Sequence, residues 1–252
     1  GLHSAHEPGA YADPMARSPA VARAPGVYRI PTLGDYINSY AFVDDDGSVT
    51  LVDCGLKRAP AKIVSALAAI GKHPRDVQRI VLTHAHFDHA GGASRMVDET
   101  AAVGVDVHAD DAEYVRTGTR VPGDTVSTSG RIFARAPWGD FQATPVSAEL
   151  ADGQVLDVAG GLRILHTPGH TPGHISLLHP ASGVLITGDS IFNMNSRMSW
   201  PTKVFCTSFR QNVETAHALG EVDYAIAAFT HGPEIRDNGR GQGRGFLRRA
   251  RD

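Results

Sequence analysis

Cysteine is scarce in this sequence of 252 residues, which contains only Cys54 and Cys206. Two cysteines do not indicate a disulfide framework, so we expect a reducing, cytoplasmic setting. No apolar run approaches the length of a membrane span. The first 24 residues also lack the apolar stretch of a secretory signal. We therefore expect neither membrane association nor secretion.

Neither sign of charge dominates, because 24 Lys and Arg stand against 27 Asp and Glu for a formal net charge of -3. A general nucleic-acid binder needs a basic surface, so no nucleic-acid partner is expected. Basic residues gather only near the end of the chain, from Arg240 to Arg251. We interpret this cluster as the solvated face of a terminal helix, with a phosphate-binding patch as the alternative.

Length and composition favour one enzyme domain. With 252 residues and 42% apolar content the chain can bury a large core, and layered α/β domains of this size are routinely single units. We predict a single domain over residues 25–252. Residues 1–24 alternate Ala, Pro, His and charged residues, and we expect a flexible extension there.

Strand-like and helix-like segments form two similar halves, and in each half strands are grouped before a helix. This grouping indicates two sheets packed face to face with helices outside. The predicted strands cover residues 27–30, 37–43, 48–53, 77–82, 162–166, 175–179, 184–188 and 223–229, and the predicted helices cover 59–71 and 207–219. An irregular stretch, residues 118–143, separates the halves, and we expect it to cap the site.

The chemically most informative segment is His84-Ala85-His86-Phe87-Asp88-His89. It follows a strand-like run, residues 79–83, and precedes Ala90-Gly91-Gly92, which lets the chain turn tightly into a helix. Imidazoles two residues apart can reach one cation together, while Asp88 and His89 project towards a second cation. Imidazole and carboxylate ligands suit zinc, with iron or manganese as alternatives.

Other candidate ligands lie far from this motif in the sequence but in the same structural position. Asp53, His170, Asp189 and His231 each follow an apolar, strand-like run. One such residue alone is more typical of a cap or a turn. Their joint recurrence at strand ends indicates one site that is assembled by folding.

With these motifs in this order, the chain resembles the metallo-β-lactamase superfamily over residues 27–235. That resemblance implies an α/β (α+β) fold, a four-layer αββα sandwich of two mixed sheets with flanking helices. It also implies a role for each motif residue. One metal would be held by His84, His86 and His170, and the other by Asp88, His89 and His231, with Asp189 as the bridging ligand and Asp53 orienting a ligand imidazole.

Two cations sharing a water can supply hydroxide at neutral pH, so we predict a hydrolase with two zinc ions whose bridging hydroxide attacks a carbonyl. Asp88 and Asp189 are the predicted catalytic residues, with Asp88 handling the proton. No His-Asp pair is left to activate Ser190 or Cys54, which argues against covalent catalysis. We interpret His174 as a hydrogen-bonded support residue, with ligation in a variant site as the alternative.

Side chains after Asp189 are candidates for the substrate pocket, with core packing as the alternative for the apolar ones. Arg197 is interpreted either as a partner of a substrate carboxylate or as part of a surface ion pair. The predicted substrate contacts are Phe192, Met194, Arg197 and Trp200, together with Trp138 from the irregular stretch.

The chain is similar to lactone hydrolases in the run Phe87-Asp88-His89-Ala90-Gly91-Gly92, and to glyoxalase II in Thr-Pro-Gly-His and Thr-Gly-Asp. An ester, lactone or thioester hydrolase acting on a small molecule is the leading interpretation. The alternatives are an iron-dependent oxidoreductase or dioxygenase, a ribonuclease-type phosphodiesterase, and a non-catalytic metal-binding descendant. A homodimer is left open.

Overall fold

A computed structural model describes residues 19–124, 128–134 and 139–250 of the chain. Seven strands form the first sheet, in their sequence order. They are β1 (Val21–Ala24), β2 (Val27–Leu33), β3 (Ile37–Val43), β4 (Val49–Val52), β5 (Val77–Val81), β6 (Val105–His108) and β7 (Val146–Leu150). Strands β1 to β4 pair antiparallel, and β4 to β7 pair parallel, so the sheet is mixed.

Five strands form the second sheet, in the order β12-β11-β10-β9-β8. They are β8 (Val155–Leu156), β9 (Leu162–His166), β10 (Ile175–His179), β11 (Val184–Ile186) and β12 (Ile226–Ala228). All neighbours are antiparallel except β11 and β12, which are parallel. This sheet is mixed as well.

The described helices are α1 (Pro60–Ala69), α2 (Phe87–Ala90), α3 (Ala93–Glu99), α4 (Ala109–Thr117), α5 (Thr128–Ala134), α6 (Phe209–Ala216) and α7 (Gly239–Arg249). Helices α1, α3 and α4 pack on the outer face of the first sheet. Helices α6 and α7 pack on the outer face of the second. None of the helices in the described ranges combines the length and the apolar character that a bilayer crossing needs.

Strand β3 illustrates how alternating side chains build the layers. Tyr40 and Phe42 point into the core between the two sheets, where they meet residues of β9 to β12 such as Ile164 and Leu177. Ala41, between them in sequence, points into the opposite core under the helices. Successive side chains of a strand face opposite sides of the sheet, so a strand buried on both faces serves two cores. The predicted αββα sandwich is confirmed.

The structure differs from the sequence prediction at several boundaries. Residues 21–24 are strand β1, paired with β2, so the boundary predicted at residue 24 is wrong. The pairing is reinforced from the other end of the chain, because Arg23 forms a buried ion pair with Glu234. Residues 1–18 lie outside the described ranges. The stretch predicted to be irregular, residues 118–143, contains helix α5.

Candidate metal centre

The predicted ligands lie together where the strands of both sheets end. His84 follows β5 after Leu82 and Thr83, and His86 directly precedes α2, which carries Asp88 and His89. His170 follows β9, Asp189 follows β11, and His231 follows β12. Folding therefore brings residues from both halves of the chain to one edge of the sandwich.

Three imidazole nitrogens converge in the first group of ligand atoms. Nδ1 of His86 lies 3.1 Å from Nε2 of His84 and 3.0 Å from Nε2 of His170. The rings of His84 and His170 are buried, and they stand nearly perpendicular to each other with an interplanar angle of 85°. We call these three residues the first triad.

A second triad lies beside the first and contains one carboxylate and two imidazoles. Nε2 of His89 lies 3.3 Å from Nε2 of His231. Oδ2 of Asp88 lies 3.7 Å from Nε2 of His89 and 3.4 Å from Nε2 of His231. The second triad thus presents one oxygen and two nitrogens to a common point.

The carboxylate of Asp189 lies between the two triads. Its Oδ2 is 3.1 Å from Nε2 of His170 and 3.2 Å from Nε2 of His231, so a single oxygen faces one member of each triad. The hydroxyl of Thr230 donates to Oδ1 at 2.7 Å. Oδ1 also lies 3.3 Å from Nε2 of His89, so both oxygens of this carboxylate are directed at the triads.

These residues fit divalent metal ions. Two ligand atoms that each lie 2.0–2.1 Å from a shared tetrahedral zinc are about 3.4 Å apart. Five of the six pairs of ligand atoms within the triads are spaced by 3.0 to 3.7 Å. Buried lone pairs that face one another at this distance repel unless a cation or a proton lies between them. The donor chemistry therefore suits zinc, and also iron or manganese.

The pKa values of the site histidines are shifted in two opposite directions. Burial, followed by repulsion from neighbouring imidazoles, lowers the pKa of His84 and of His86 well below the usual range. Burial also lowers the pKa of His89, but the nearby carboxylates, Asp189 foremost, outweigh it and raise that pKa well above the usual range. His84 and His86 are thus neutral imidazoles with lone pairs to offer, whereas the carboxylates around His89 attract positive charge.

Asp53 holds the ring of His89 in place. Its Oδ2 lies 2.9 Å from Nδ1 of His89 and accepts a hydrogen bond from the hydroxyl of Thr83, while Oδ1 accepts from the backbone N–H of Thr83 at 2.8 Å. An Nδ1–H that donates to Asp53 leaves the Nε2 lone pair pointing into the second triad. Nδ1 of His231 is used similarly, because it donates to the carbonyl oxygen of Tyr36 at 2.6 Å.

His174 lies next to the site, but both of its ring nitrogens are engaged. Nε2 accepts a hydrogen bond from the backbone N–H of Asp189 at 2.8 Å. Nδ1 therefore carries the proton, and it donates to the carbonyl oxygen of Thr167 at 3.1 Å. Burial lowers the pKa of His174 to about 3, so the ring is neutral. In this arrangement no lone pair of His174 faces a metal.

A cavity of about 140 Å³ opens above the triads and is lined mainly by apolar side chains and glycines. Phe192, one of the predicted substrate contacts, is among the lining residues. Residues 120, 121, 123, 130 and 139 line it as well, so the stretch between the two halves does border the site. The apolar side chains of the lining are Phe87, Val121, Phe192, Val204 and Phe205.

Three of the other predicted substrate contacts do not line this cavity. Among the described residues, the cavity lining does not include Met194, Arg197 or Trp200. Trp200 packs in the outer core beneath α7, with its ring 4.8 Å from that of Phe246. Arg197 is exposed at the end of a short turn. Trp138 lies outside the described residues.

The sequence interpretation missed two residues that contact the ligand loops. Sγ of Cys206 lies 3.5 Å from Nδ1 of His170, behind the metal-facing nitrogen. Asp111, in the first turn of α4, is completely buried and accepts hydrogen bonds from both ligand-bearing loops. Neither residue stands in a motif, and an acidic residue in a first helical turn is common for other reasons.

A further group of potential ligands, His108, Asp110 and His166, lies apart from the two triads. The two imidazoles stack face to face, 3.8 Å apart with an interplanar angle of 13°. Nδ1 of His108 accepts from the backbone N–H of Asp110, and Nε2 of His166 donates to the carbonyl oxygen of Pro172. Stacked rings with engaged nitrogens are poorly arranged to share one metal.

Known proteins are similar to this chain in sequence and in fold. A sequence model of the family described as "Metallo-beta-lactamase superfamily" matches residues 33–231. The chain is 26% identical over 198 residues to a probable metallo-hydrolase, YybB, of Bacillus subtilis, a match that covers 78% of this chain and 81% of that protein.

Two further relatives are matched over part of their length. A hydroxyacylglutathione hydrolase of Cereibacter sphaeroides is 32% identical over 169 residues, which is 66% of this chain and 51% of that protein. An N-acyl homoserine lactonase of a Bacillus species is 30% identical over 134 residues, which is 52% of this chain and 45% of that protein. The chain thus spans about half the length of these two relatives.

Among solved structures, the fold is similar to that of MEM-A1, a subclass B3 metallo-beta-lactamase from a soil metagenome library. The TM-score is 0.68 at 17% identity, and the superposition covers 92% of each chain. Identity at this level indicates the shared fold alone.

Proposed function

Because this chain belongs to the metallo-beta-lactamase superfamily and is a metal-dependent hydrolase, we propose that it uses two metal ions to hydrolyse an ester, lactone or thioester of a small molecule. The observation that carries the proposal is the pair of triads on the two sides of Asp189. Each triad supplies the three protein ligands that a catalytic zinc site uses, which leaves a further coordination position for water or substrate.

Zinc is the metal that we propose for both positions. When bound, the two ions would lower the pKa of a water molecule and polarise the carbonyl oxygen under attack. The chain provides the geometry for this chemistry. Oδ2 of Asp189 faces His170 of the first triad and His231 of the second, and Asp53 fixes the ring of His89.

Asp88 is the residue that we propose for proton transfer. It lines the cavity and remains partly exposed, and its Oδ2 faces the second triad. Its other carboxylate oxygen can accept the proton released during attack and return it to the leaving oxygen or sulfur. No side-chain nucleophile is required, and Ser190 is buried beneath the site, with its hydroxyl 3.4 Å from Nδ1 of His174.

The cavity favours substrates with an apolar acyl group. Phe87, Phe192 and Phe205 line it together with two valines. Burial of apolar substrate surface contributes roughly 25 cal/mol per Å², so each added methylene of an acyl chain should improve binding until the cavity is full. The names of two relatives, a hydroxyacylglutathione hydrolase and an N-acyl homoserine lactonase, both denote cleavage at an acyl carbonyl.

The test combines metal analysis with a substrate panel. The protein is purified without added metal, and its zinc, iron and manganese contents are measured. The same sample is assayed with p-nitrophenyl esters and lactones of increasing acyl length, a glutathione thioester, bis-p-nitrophenyl phosphate and a β-lactam. We expect about two zinc ions per chain, and ester, lactone or thioester turnover that rises with acyl length.

Other results would overturn the proposal. Iron with oxygen consumption and no hydrolysis would indicate an oxidoreductase or dioxygenase of the same fold. Phosphodiester turnover without ester turnover would indicate a phosphodiesterase. A matched pair of variants distinguishes the loss of a site histidine from the loss of a surface histidine. His86→Ala should abolish hydrolysis. His73 is exposed and lies outside the site, so His73→Ala should retain hydrolysis.

A further inference from the structure

Asp111 is a buried carboxylate that neither triad contains. It lies in the first turn of α4, and its side chain is completely shielded from solvent. Burial of a carboxylate is costly unless hydrogen bonds or charges compensate for it. Within the described ranges it forms no salt bridge with a basic side chain, so the compensation comes from hydrogen-bond donors.

Three donors surround this carboxylate, and all come from the loops that carry metal ligands. Oδ2 accepts from the backbone N–H of Ala85 at 2.9 Å and from the hydroxyl of Thr171 at 2.7 Å. Oδ1 accepts from the backbone N–H of Gly173 at 2.6 Å. Ala85 lies between His84 and His86, and Thr171 directly follows His170. One carboxylate therefore connects the two loops that carry the first triad.

The sequence of the second loop is adapted to this contact. A Cβ atom at Gly173 would lie 2.6 Å from the backbone nitrogen of Asp111 and 2.8 Å from its Cβ and Cγ. Such distances are shorter than van der Waals contact allows, so only glycine lets the loop approach α4 this closely. The glycine in the second Thr-Pro-Gly-His repeat thus serves the contact with Asp111.

We propose that Asp111 is a positioning residue for the first metal site, setting the distance between the His84–His86 loop and the His170 loop. The proposal rests on the metal centre proposed above. Spacing matters because a tetrahedral zinc needs its ligand atoms about 3.4 Å apart. Loops that move apart by a fraction of an ångström would weaken all three bonds of the triad together.

The conservative substitution Asp111→Asn tests this role at constant size. An amide has one acceptor oxygen and one NH₂ donor in place of two acceptor oxygens. In either orientation its NH₂ group faces a backbone N–H, that of Ala85 or that of Gly173, and this hydrogen bond is lost. Residues outside the ligand set that hold metal ligands typically contribute 10- to 100-fold to metal affinity.

The experiment compares wild type, Asp111→Asn and Asp110→Asn. Asp110 is the neighbouring residue and is exposed, and its backbone N–H and its carboxylate face His108 and His166 rather than the loops of the first triad. Zinc affinity is measured by competition with a chromogenic chelator, and the cobalt(II)-substituted proteins are compared by visible absorption, which reports ligand geometry. We expect Asp111→Asn to bind the first zinc about 10- to 100-fold more weakly, with an altered cobalt spectrum. Asp110→Asn should match wild type.

Thr171→Val provides a milder variant if Asp111→Asn does not fold. It removes one of the three hydrogen bonds and retains the side-chain shape, and it should weaken zinc binding by a smaller factor. Wild-type zinc affinity and an unchanged cobalt spectrum in folded Asp111→Asn, or in Thr171→Val where only that variant folds, would overturn the proposal. Equal weakening in Asp110→Asn would do so too.

Failure of the Asp111 proposal can be distinguished from failure of the proposed hydrolytic function. If wild type binds two metals but hydrolyses no ester, lactone or thioester, the proposed function fails, while the affinity comparison still decides the role of Asp111. If wild type binds no metal, both proposals fail. For an active enzyme, Asp111→Asn should lower kcat more than it changes KM, because the residue does not line the cavity.

Discussion

The backbone N–H of Asp189 donates a hydrogen bond of 2.8 Å to Nε2 of His174. His174 lies four residues after His170 and has a side-chain type that often binds metals, yet it accepts a hydrogen bond from the backbone of Asp189. The contact is close because Gly188 precedes Asp189, and a Cβ there would lie 2.5 Å from that same nitrogen. His174 thus holds the backbone of Asp189 in position through this hydrogen bond.

Replacement of His174 should therefore affect stability more than metal content. His174→Ala leaves the buried N–H of Asp189 without a partner, and an unsatisfied buried donor costs about 1–3 kcal/mol. We expect the free energy of unfolding in urea to fall by roughly this amount, with two metals per chain retained. If the variant loses one metal and keeps its stability, His174 is a ligand after all.

Replacement of Asp189 should instead affect metal content and turnover more than stability. Asp189→Ala removes the oxygen that faces both triads, so we expect loss of the second metal and of most turnover. The loss of kcat should exceed the roughly 10- to 100-fold cost typical of residues that only support ligands. Asp98→Ala, at an exposed position, is the control. Full metal content with retained turnover would refute the bridging assignment.

Two substitutions of Asp53 can distinguish the effect of its negative charge from the effect of its backbone conformation. The φ angle of Asp53 is +60°, a conformation that Asn adopts more readily than Ala. Asp53→Asn should thus retain the fold while it weakens the hydrogen bond that orients the ring of His89. We expect the second metal to bind about 10- to 100-fold more weakly in this variant. Asp53→Ala should add a loss of stability from the strained backbone. Isothermal titration with zinc and urea unfolding measure the two effects, and equal metal affinity in Asp53→Asn and wild type would contradict this role.

Substrate selectivity should depend on the side chains that line the cavity. Phe192→Ala removes apolar surface beside His231, whose ring lies 4.4 Å from that of Phe192. We expect kcat/KM for hexanoyl esters to fall about tenfold or more, since a buried aromatic side chain contributes roughly 1.5–3 kcal/mol, whereas acetyl esters change little. Arg197→Ala, outside the lining, should leave both values unchanged. A larger effect of Arg197→Ala would restore the sequence-based assignment of that residue.

The clustering of the predicted ligands could be predicted from the sequence, because His84, His170, Asp189 and His231 each follow an apolar strand and strand ends meet at one edge of a layered fold. The location of Trp200 is harder to predict, because its proximity in sequence to Asp189 suggests a pocket residue. The antiparallel bridge between Phe192 and Ser199 reverses the chain and carries Trp200 to Phe246. Asp111 gave no signal, since its partners lie 26 to 62 residues away.

The arrangement of two triads around Asp189 is best tested by anomalous diffraction at the zinc absorption edge, with crystals grown in zinc. We expect two peaks about 3.5–4 Å apart. One should lie among His84, His86 and His170, and the other among Asp88, His89 and His231. A single peak, or zinc bound instead by the stacked pair His108 and His166, would contradict the two-metal centre.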